Sequence, residues 1–253
     1  MKKTAIILFV LICLAVIPAY ASEPLTVNLE GYQADESGIS VTFNTNDDED
    51  IMVDQLSLLI SGQPAKINAL KKFSESGEGA SYLFLVDISG SIDDKKMASI
   101  KSVIREMIDK INSKDNVCII TVGNETAVNS FIGDKVQLQE QTNMITQTTQ
   151  FTNLYAGIVT ALEVLGTDSA VNQKKCLIIL SDGVDEYTTG YTREEVEQKI
   201  SDSHMPVFTV AMLSAGASQK EIDAAKVLGS FARISSGGLD ITYGQDYTKE
   251  AEV

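Results

Sequence analysis

Asp87-Ile88-Ser89-Gly90-Ser91 sets a carboxylate and two hydroxyls at alternate positions, directly behind the apolar run Tyr82-Leu83-Phe84-Leu85-Val86. That run has the length of a fully buried strand. Three hard oxygens from one loop, only one of them charged, suit Mg²⁺, which demands octahedral geometry and keeps several waters. Because Ser89 and Ser91 are neutral, a bound cation would retain much of its charge and could attract an acidic partner. Asp and Ser are also ordinary turn formers after a strand, so the loop alone decides little. Two other segments carry oxygens in comparable places: Thr152-Asn153-Leu154 at a helix start, and Ser181-Asp182-Gly183 behind Leu177-Ile178-Ile179-Leu180.

The elements around these loops decide whether they can meet. Strand-like runs fall at 82–87, 115–122, 174–181 and 206–212, with a shorter one around 126–132. Met97, Ile100, Ile104, Met107, Ile108 and Ile111 recur at helical spacing over Met97 to Ile111, and Leu154 to Leu165 reads as another helix. Thr192-Arg193-Glu194-Glu195 and Ser218-Gln219-Lys220-Glu221 are capping boxes that open two more. Val117 to Ile120 and Leu177 to Leu180 are continuous apolar runs, as in strands buried on both faces. Strands alternating with helices predict an α/β fold with a doubly wound, mostly parallel sheet flanked by helices. Such folds bind ligands beyond the carboxyl ends of their strands. That is where all three oxygen-bearing loops would lie.

The chain reads as three parts: 1–21, 22–75 and 76–250. Lys2, Lys3, the apolar run Ala5 to Ile17 and the small residues Ala19 and Ala21 have the pattern of a secretory signal peptide cleaved after Ala21. Ile12 before Cys13 does not fit a lipidation site. Residues 22–75 hold alternating pieces, Leu25 to Leu29, Ile39 to Phe43 and Gln55 to Ile60, and predict a small antiparallel, sandwich-like β region. Asp47-Asp48-Glu49-Asp50 lacks the spaced ligands and glycine of a calcium loop and reads as a solvated turn. Ser74 to Gly79 reads as a flexible connection.

Composition narrows the partners. The 253 residues are 44% hydrophobic, enough for a substantial core. Without Lys2 and Lys3, 18 basic residues stand against 35 acidic ones, a net charge of −17. Phosphate binding rests on Lys/Arg clusters, so nucleic acid and anionic lipid are poor partners for this chain. Cys118 and Cys176 both fall in strand-like runs and read as core thiols without a bridge.

The ordered set Asp87-x-Ser89-x-Ser91, Thr152-Asn153-Leu154-Tyr155-Ala156-Gly157-Ile158 and Leu180-Ser181-Asp182-Gly183 resembles the metal-ion-dependent adhesion site of von Willebrand factor A domains, here of a bacterial secreted or surface type. The resemblance covers roughly residues 80 to 245. It implies that the hydroxyls of Ser89 and Ser91 bind Mg²⁺ (or Mn²⁺) and that Thr152 joins directly or through water. Asp87 and Asp182 would hold coordinated waters, and one position would stay open for an acidic side chain of a protein partner. Phe151 stands where the family usually has glycine, and Thr148 and Thr149 are close by. A final helix would be expected about where the chain ends at Val253, and a membrane anchor, if there is one, would lie beyond that residue.

The resemblance makes the chain a secreted or cell-surface adhesion module rather than an enzyme, with a non-adhesive scaffold subunit of a larger surface protein as the alternative. The residues agree that catalysis has little to stand on. His204 is the only histidine, no G-x-S-x-G elbow is present, and neither phosphate-binding glycine motif occurs. Asp185 and Glu186 read as rim charges that tune the site, and Tyr187 to Tyr191 as a loop near it.

Overall fold

The computed structural model describes residues 27–35, 38–45, 51–187, 189–214, 216–235 and 237–242. The signal-like segment 1–21, the acidic turn Asp47 to Asp50 and the chain past Thr242 lie outside them. Two antiparallel hairpins come first, β1 (Val27–Asp35) with β2 (Gly38–Thr45) and β3 (Leu58–Ile60) with β4 (Gln63–Ala65). One helical turn, α1 (Phe73–Ser76), precedes β5 (Ala80–Asp87), α2 (Asp94–Lys110), β6 (Asn116–Val122) and β7 (Thr126–Ala127). Then follow α3 (Lys135–Met144), α4 (Leu154–Thr167), β8 (Lys174–Ser181), α5 (Arg193–Ser203), β9 (Val207–Met212), α6 (Gln219–Ile234) and β10 (Leu239–Thr242).

The main sheet has the order β10-β9-β8-β5-β6-β7, parallel throughout except for β7. Successive side chains of a strand point to opposite faces, and here each face has its own core. Leu83, Leu85, Cys118, Ile120, Leu177 and Ile179 enter one, with Ile158, Val196, Ile200, Leu228 and Phe231 from α4, α5 and α6. Phe84, Val86, Val117, Ile119, Ile178 and Leu180 enter the other, with Ile100, Ile104 and Ile108 from α2 and Leu138 from α3. The unbroken apolar runs of the sequence are the consequence of this two-sided burial.

Helix α2 shows how the local grammar serves that packing. Asp93 caps it by accepting from Lys95 N and Lys96 N at 3.0 and 2.8 Å. Ile100, Ile104 and Ile108 follow at helical spacing, and each is fully buried. Each such isoleucine contributes on the order of 1.5–3 kcal/mol. The helix starts at Asp94, earlier than its first apolar residue, because the cap fixes its start.

Three expectations need correction. Among the described residues of 22–75 the strands pair as two separate hairpins and not as one sheet; Ser61 and Gly62 both take positive φ, 52° and 78°, and so turn β3 straight onto β4. Two consecutive positive-φ residues make the tight hairpin turn that matches strand twist. The connection after Lys72 is in part helical, with Gly77 left-handed at φ 73° as its stop, and the Lys174 ammonium lies 4.5 Å from the Phe73 ring centroid. The strand around 126–132 shrinks to Thr126–Ala127 and one bridge between Val117 and Ile132.

Candidate metal centre

The chain runs from β5 through α2 on one face to β6, and reaches β8 through α4 on the other face. The crevice between the carboxyl ends of β5 and β8 is therefore the point where strand order reverses, the place where doubly wound sheets hold ligands. Asp87 is the last residue of β5 and Ser181 the last of β8. Ser181 Oγ donates to Asp87 Oδ2 at 2.7 Å. Asp87 Oδ1 accepts from Ser89 N and from Thr152 Oγ1, both at 2.9 Å. Ser89 Oγ lies 3.1 Å from Ser91 Oγ. Asp87, Ser89, Thr152 and Asp182 are buried, whereas Ser91 faces solvent.

The loops reach these positions for local reasons. An aspartate accepting from the backbone two residues on is a standard turn device, and Ile88 N is tied to Val122 O at 2.9 Å on the neighbouring strand. Thr152 is clamped on both sides of its backbone: its N donates to Glu186 Oε2 and its O accepts from Glu186 N, each at 3.0 Å. Asn153 makes no side-chain cap for α4; Asp185 Oδ1 accepts from Tyr155 N at 3.0 Å and puts a carboxylate on that helix start, where the helix dipole favours it. Asp185 and Glu186 thus build the rim rather than merely charging it. Gly183 has φ 84°, and a Cβ there would sit 2.7 Å from Ala224 O, so only glycine lets this loop run against α6.

Burial pushes the Asp87 carboxyl above its usual range, with the Asp182 charge adding to the effect, while hydrogen bonds from Ser181 and Ser89 oppose it. Burial likewise raises Asp185, against the Tyr155 N–H bond. Asp182 has a cationic neighbour: Lys96 Nζ is 3.6 Å from its Oδ2, 3.0 Å from Ser91 O and 3.7 Å from Glu221 Oε1. None of the ion pairs seen among the described residues reaches Asp87.

The donor set fits a small hard cation. Adjacent ligands of a Mg²⁺ octahedron are about 2.9 Å apart, from metal–oxygen distances of about 2.0–2.1 Å. The two serine hydroxyls stand at nearly that separation, and one can donate to the other without a cation. A fully buried carboxylate whose partners are all neutral also leaves negative charge for a cation to balance. Among the described residues no group of three His, Cys, Asp or Glu is placed to hold a metal ion, and the hydroxyls of Ser89, Ser91 and Thr152 are neutral oxygens that could join Asp87 and Asp182 in holding one.

Asp87, Ser89, Ser91, Thr152 and Asp182, separate in sequence, share one rim. Thr152 is the threonine that reaches Asp87; Thr148 and Thr149 bond through their backbone to Ile88 O at 3.2 and 3.4 Å. Phe151 is exposed, its N donating to Asn124 Oδ1 at 3.3 Å. His204 is an exposed, left-handed cap of α5 (φ 52°). Sequence reasoning missed Lys96. Its signal was a lysine in the first turn of α2, where the helix dipole disfavours cations and a dedicated partner is needed.

Residues 83–239 match the von Willebrand factor type A domain. No curated protein matches the chain. Among solved structures, a von Willebrand factor type A protein from Catenulispora acidiphila has a TM-score of 0.55 at 18% identity, over 69% of this chain and 41% of that one. The corresponding domain of the type V pili tip protein Mfa5 from Porphyromonas gingivalis gives 0.54 at 10% identity, over 69% and 92%. Proximal thread matrix protein 1 from the mussel byssus, with a zinc-occupied MIDAS motif, gives 0.53 at 15% identity, over 69% and 44%. At these identities the likeness is one of fold.

Proposed function

The chain belongs to the von Willebrand factor type A domain family, and from that premise we propose that it is an adhesion module, exported to the cell surface or beyond, that binds a protein partner through a divalent metal. Mg²⁺ or Mn²⁺ would supply a Lewis-acidic position for an acidic side chain of that partner. Ser89 and Ser91 would hold the cation through their hydroxyls and Thr152 would join directly or through water, while Asp87 and Asp182 would contribute negative charge and acceptors for bound water. The observation that carries this reading is the Asp87 carboxylate, fully buried, with Ser89, Thr152 and Ser181 aimed at it and no ion pair to it among the described residues. A buried charge left in that state is costly, and a metal beside it removes the cost.

The neighbours favour the same direction: one is a pilus tip protein, another a matrix protein with zinc in this motif. The basic pair and apolar run before Ala21 favour export. Among the described residues of the rim no acid–base pair or activated nucleophile favours an enzyme; Asp185 and Glu186 are engaged by backbone N–H groups.

Relaxation of solvent protons by protein-bound Mn²⁺ tests the open position. A short peptide carrying aspartate or glutamate should displace exchangeable water and lower the relaxation, and its asparagine or glutamine counterpart should not. Equal effects of the two peptides would refute acidic-residue engagement while leaving metal binding itself standing.

A further inference from the structure

We propose that Lys96 is an internal counter-ion that holds the rim together without metal and, by its charge, weakens the affinity for divalent cations. The inference rests on the reading of the rim as a metal centre. The Lys96 side chain is 8% exposed, and its ammonium meets oxygens from three different elements. Ser91 O, at 3.0 Å, belongs to the loop after β5; Asp182 Oδ2, at 3.6 Å, to the loop after β8; Glu221 Oε1, at 3.7 Å, to the first turn of α6. Its backbone is fixed as well, because Lys96 N donates to Asp93 Oδ1 at 2.8 Å. Glu221 is in turn held by the α6 capping box, its Oε2 accepting from Ser218 N at 2.7 Å. The ammonium is therefore a fixed charge at the base of the rim and not a surface lysine that swings away.

Two consequences follow from its sign. Without metal, Asp87 and Asp182 are buried carboxylates at the ends of neighbouring strands, and the Lys96 ammonium, 3.6 Å from Asp182 Oδ2, offsets part of their repulsion. With metal, the same ammonium repels the incoming dication across a poorly solvated site, where Coulomb terms are several times larger than in water. A fixed competitor of this kind keeps metal exchangeable and ties the metal loop to α6. Simple positioning of Ser91 and Asp182 by Lys96 predicts the opposite effect on affinity, so the two roles separate by sign.

The test is calorimetric titration of Mg²⁺ into wild type, Lys96→Met and Lys96→Gln, with thermal melts in chelator and in excess Mg²⁺. Methionine keeps the buried stem; glutamine keeps a donor for Ser91 O. We expect both variants to bind Mg²⁺ about tenfold or more tightly than wild type, to melt lower in chelator, and to gain more from Mg²⁺. A variant that folds only with Mg²⁺ gives the same support. Adding Ser89→Ala to Lys96→Met should abolish the gain, which assigns it to this site. Weaker binding in both variants would make Lys96 a positioning residue, and unchanged binding would remove it from the account; either overturns the proposal. Should wild type bind no Mg²⁺, binding gained in Lys96→Met still supports the counter-ion, and none gained refutes it together with the metal reading.

Discussion

Thr152 Oγ1 donates to Asp87 Oδ1 at 2.9 Å across 65 positions of sequence. One bond thus joins the start of α4 to the end of β5, with both partners fully buried. Thr152→Val keeps the shape of the side chain and removes its hydroxyl. It should cost about 1.5–3 kcal/mol of stability in chelator, the range for a bond to a charged group, and weaken Mg²⁺ binding about 10–100-fold. Urea unfolding and titration measure the two effects; unchanged affinity would place Thr152 outside the metal's surroundings.

Asp87→Asn separates function from stability. The amide keeps an acceptor for Ser89 N and Thr152 Oγ1 and offers a donor toward Ser181, while the buried charge and its repulsion with Asp182 disappear. In chelator this variant should melt at or above the wild-type temperature, and Mg²⁺ should no longer raise its midpoint. A large loss of stability in chelator would mean that the charge itself holds the loops.

The cysteines test the strand order. Cys118 on β6 lies opposite Leu83 of β5, and Cys176 on β8 lies opposite Tyr82. Two strand spacings of about 4.8 Å each exceed the reach of a disulfide, and both thiols are unbridged. Burial pushes the Cys118 thiol up to about 12, and its S–H donates to Asn129 O at 3.1 Å. At pH 8 an alkylating reagent should modify Cys118 no faster than the protein unfolds, by peptide mass mapping, and both thiols should react after unfolding without reductant. Rapid labelling of native Cys118 would contradict its burial.

Much of this arrangement is legible in the chain because it is short-range. The unbroken apolar run of β5, the capping boxes Thr192–Glu195 and Ser218–Glu221, and the spacing of Asp87, Ser89 and Ser91 are all written within a few residues. What escaped is long-range or weakly patterned. The clamp of Glu186 on Thr152 spans 34 positions, and no local pattern names such a partner. Helix α3 buries only Leu138 and Thr142, too little to show a helical stripe. The N-terminal pieces carry strand pattern and turn residues but nothing local that names a strand's partner, so the two hairpins could not be told from one sheet.

Ile104→Ala probes the core beneath α2. Ile104 is fully buried among Phe84, Val86 and Ile100, and truncation should cost about 2–5 kcal/mol. Denaturant unfolding should show that loss with little change in Mg²⁺ affinity, since Ile104 lies in the middle of α2 and outside the rim loops. A parallel loss of affinity would mean that the helix transmits strain to Ser91.

Calorimetric titration of Mg²⁺ into wild type, Ser89→Ala and Asp182→Ala bears most directly on the site. Ser89→Ala leaves a position that only water can fill, and Asp182→Ala removes a buried carboxylate beside it. Both residues lie outside the apolar strands, so circular dichroism should show the fold retained. The account predicts binding in wild type and a loss of 10-fold or more in each variant. Equal binding in all three, or none in wild type at millimolar Mg²⁺, would contradict it and leave a non-adhesive scaffold as the better description.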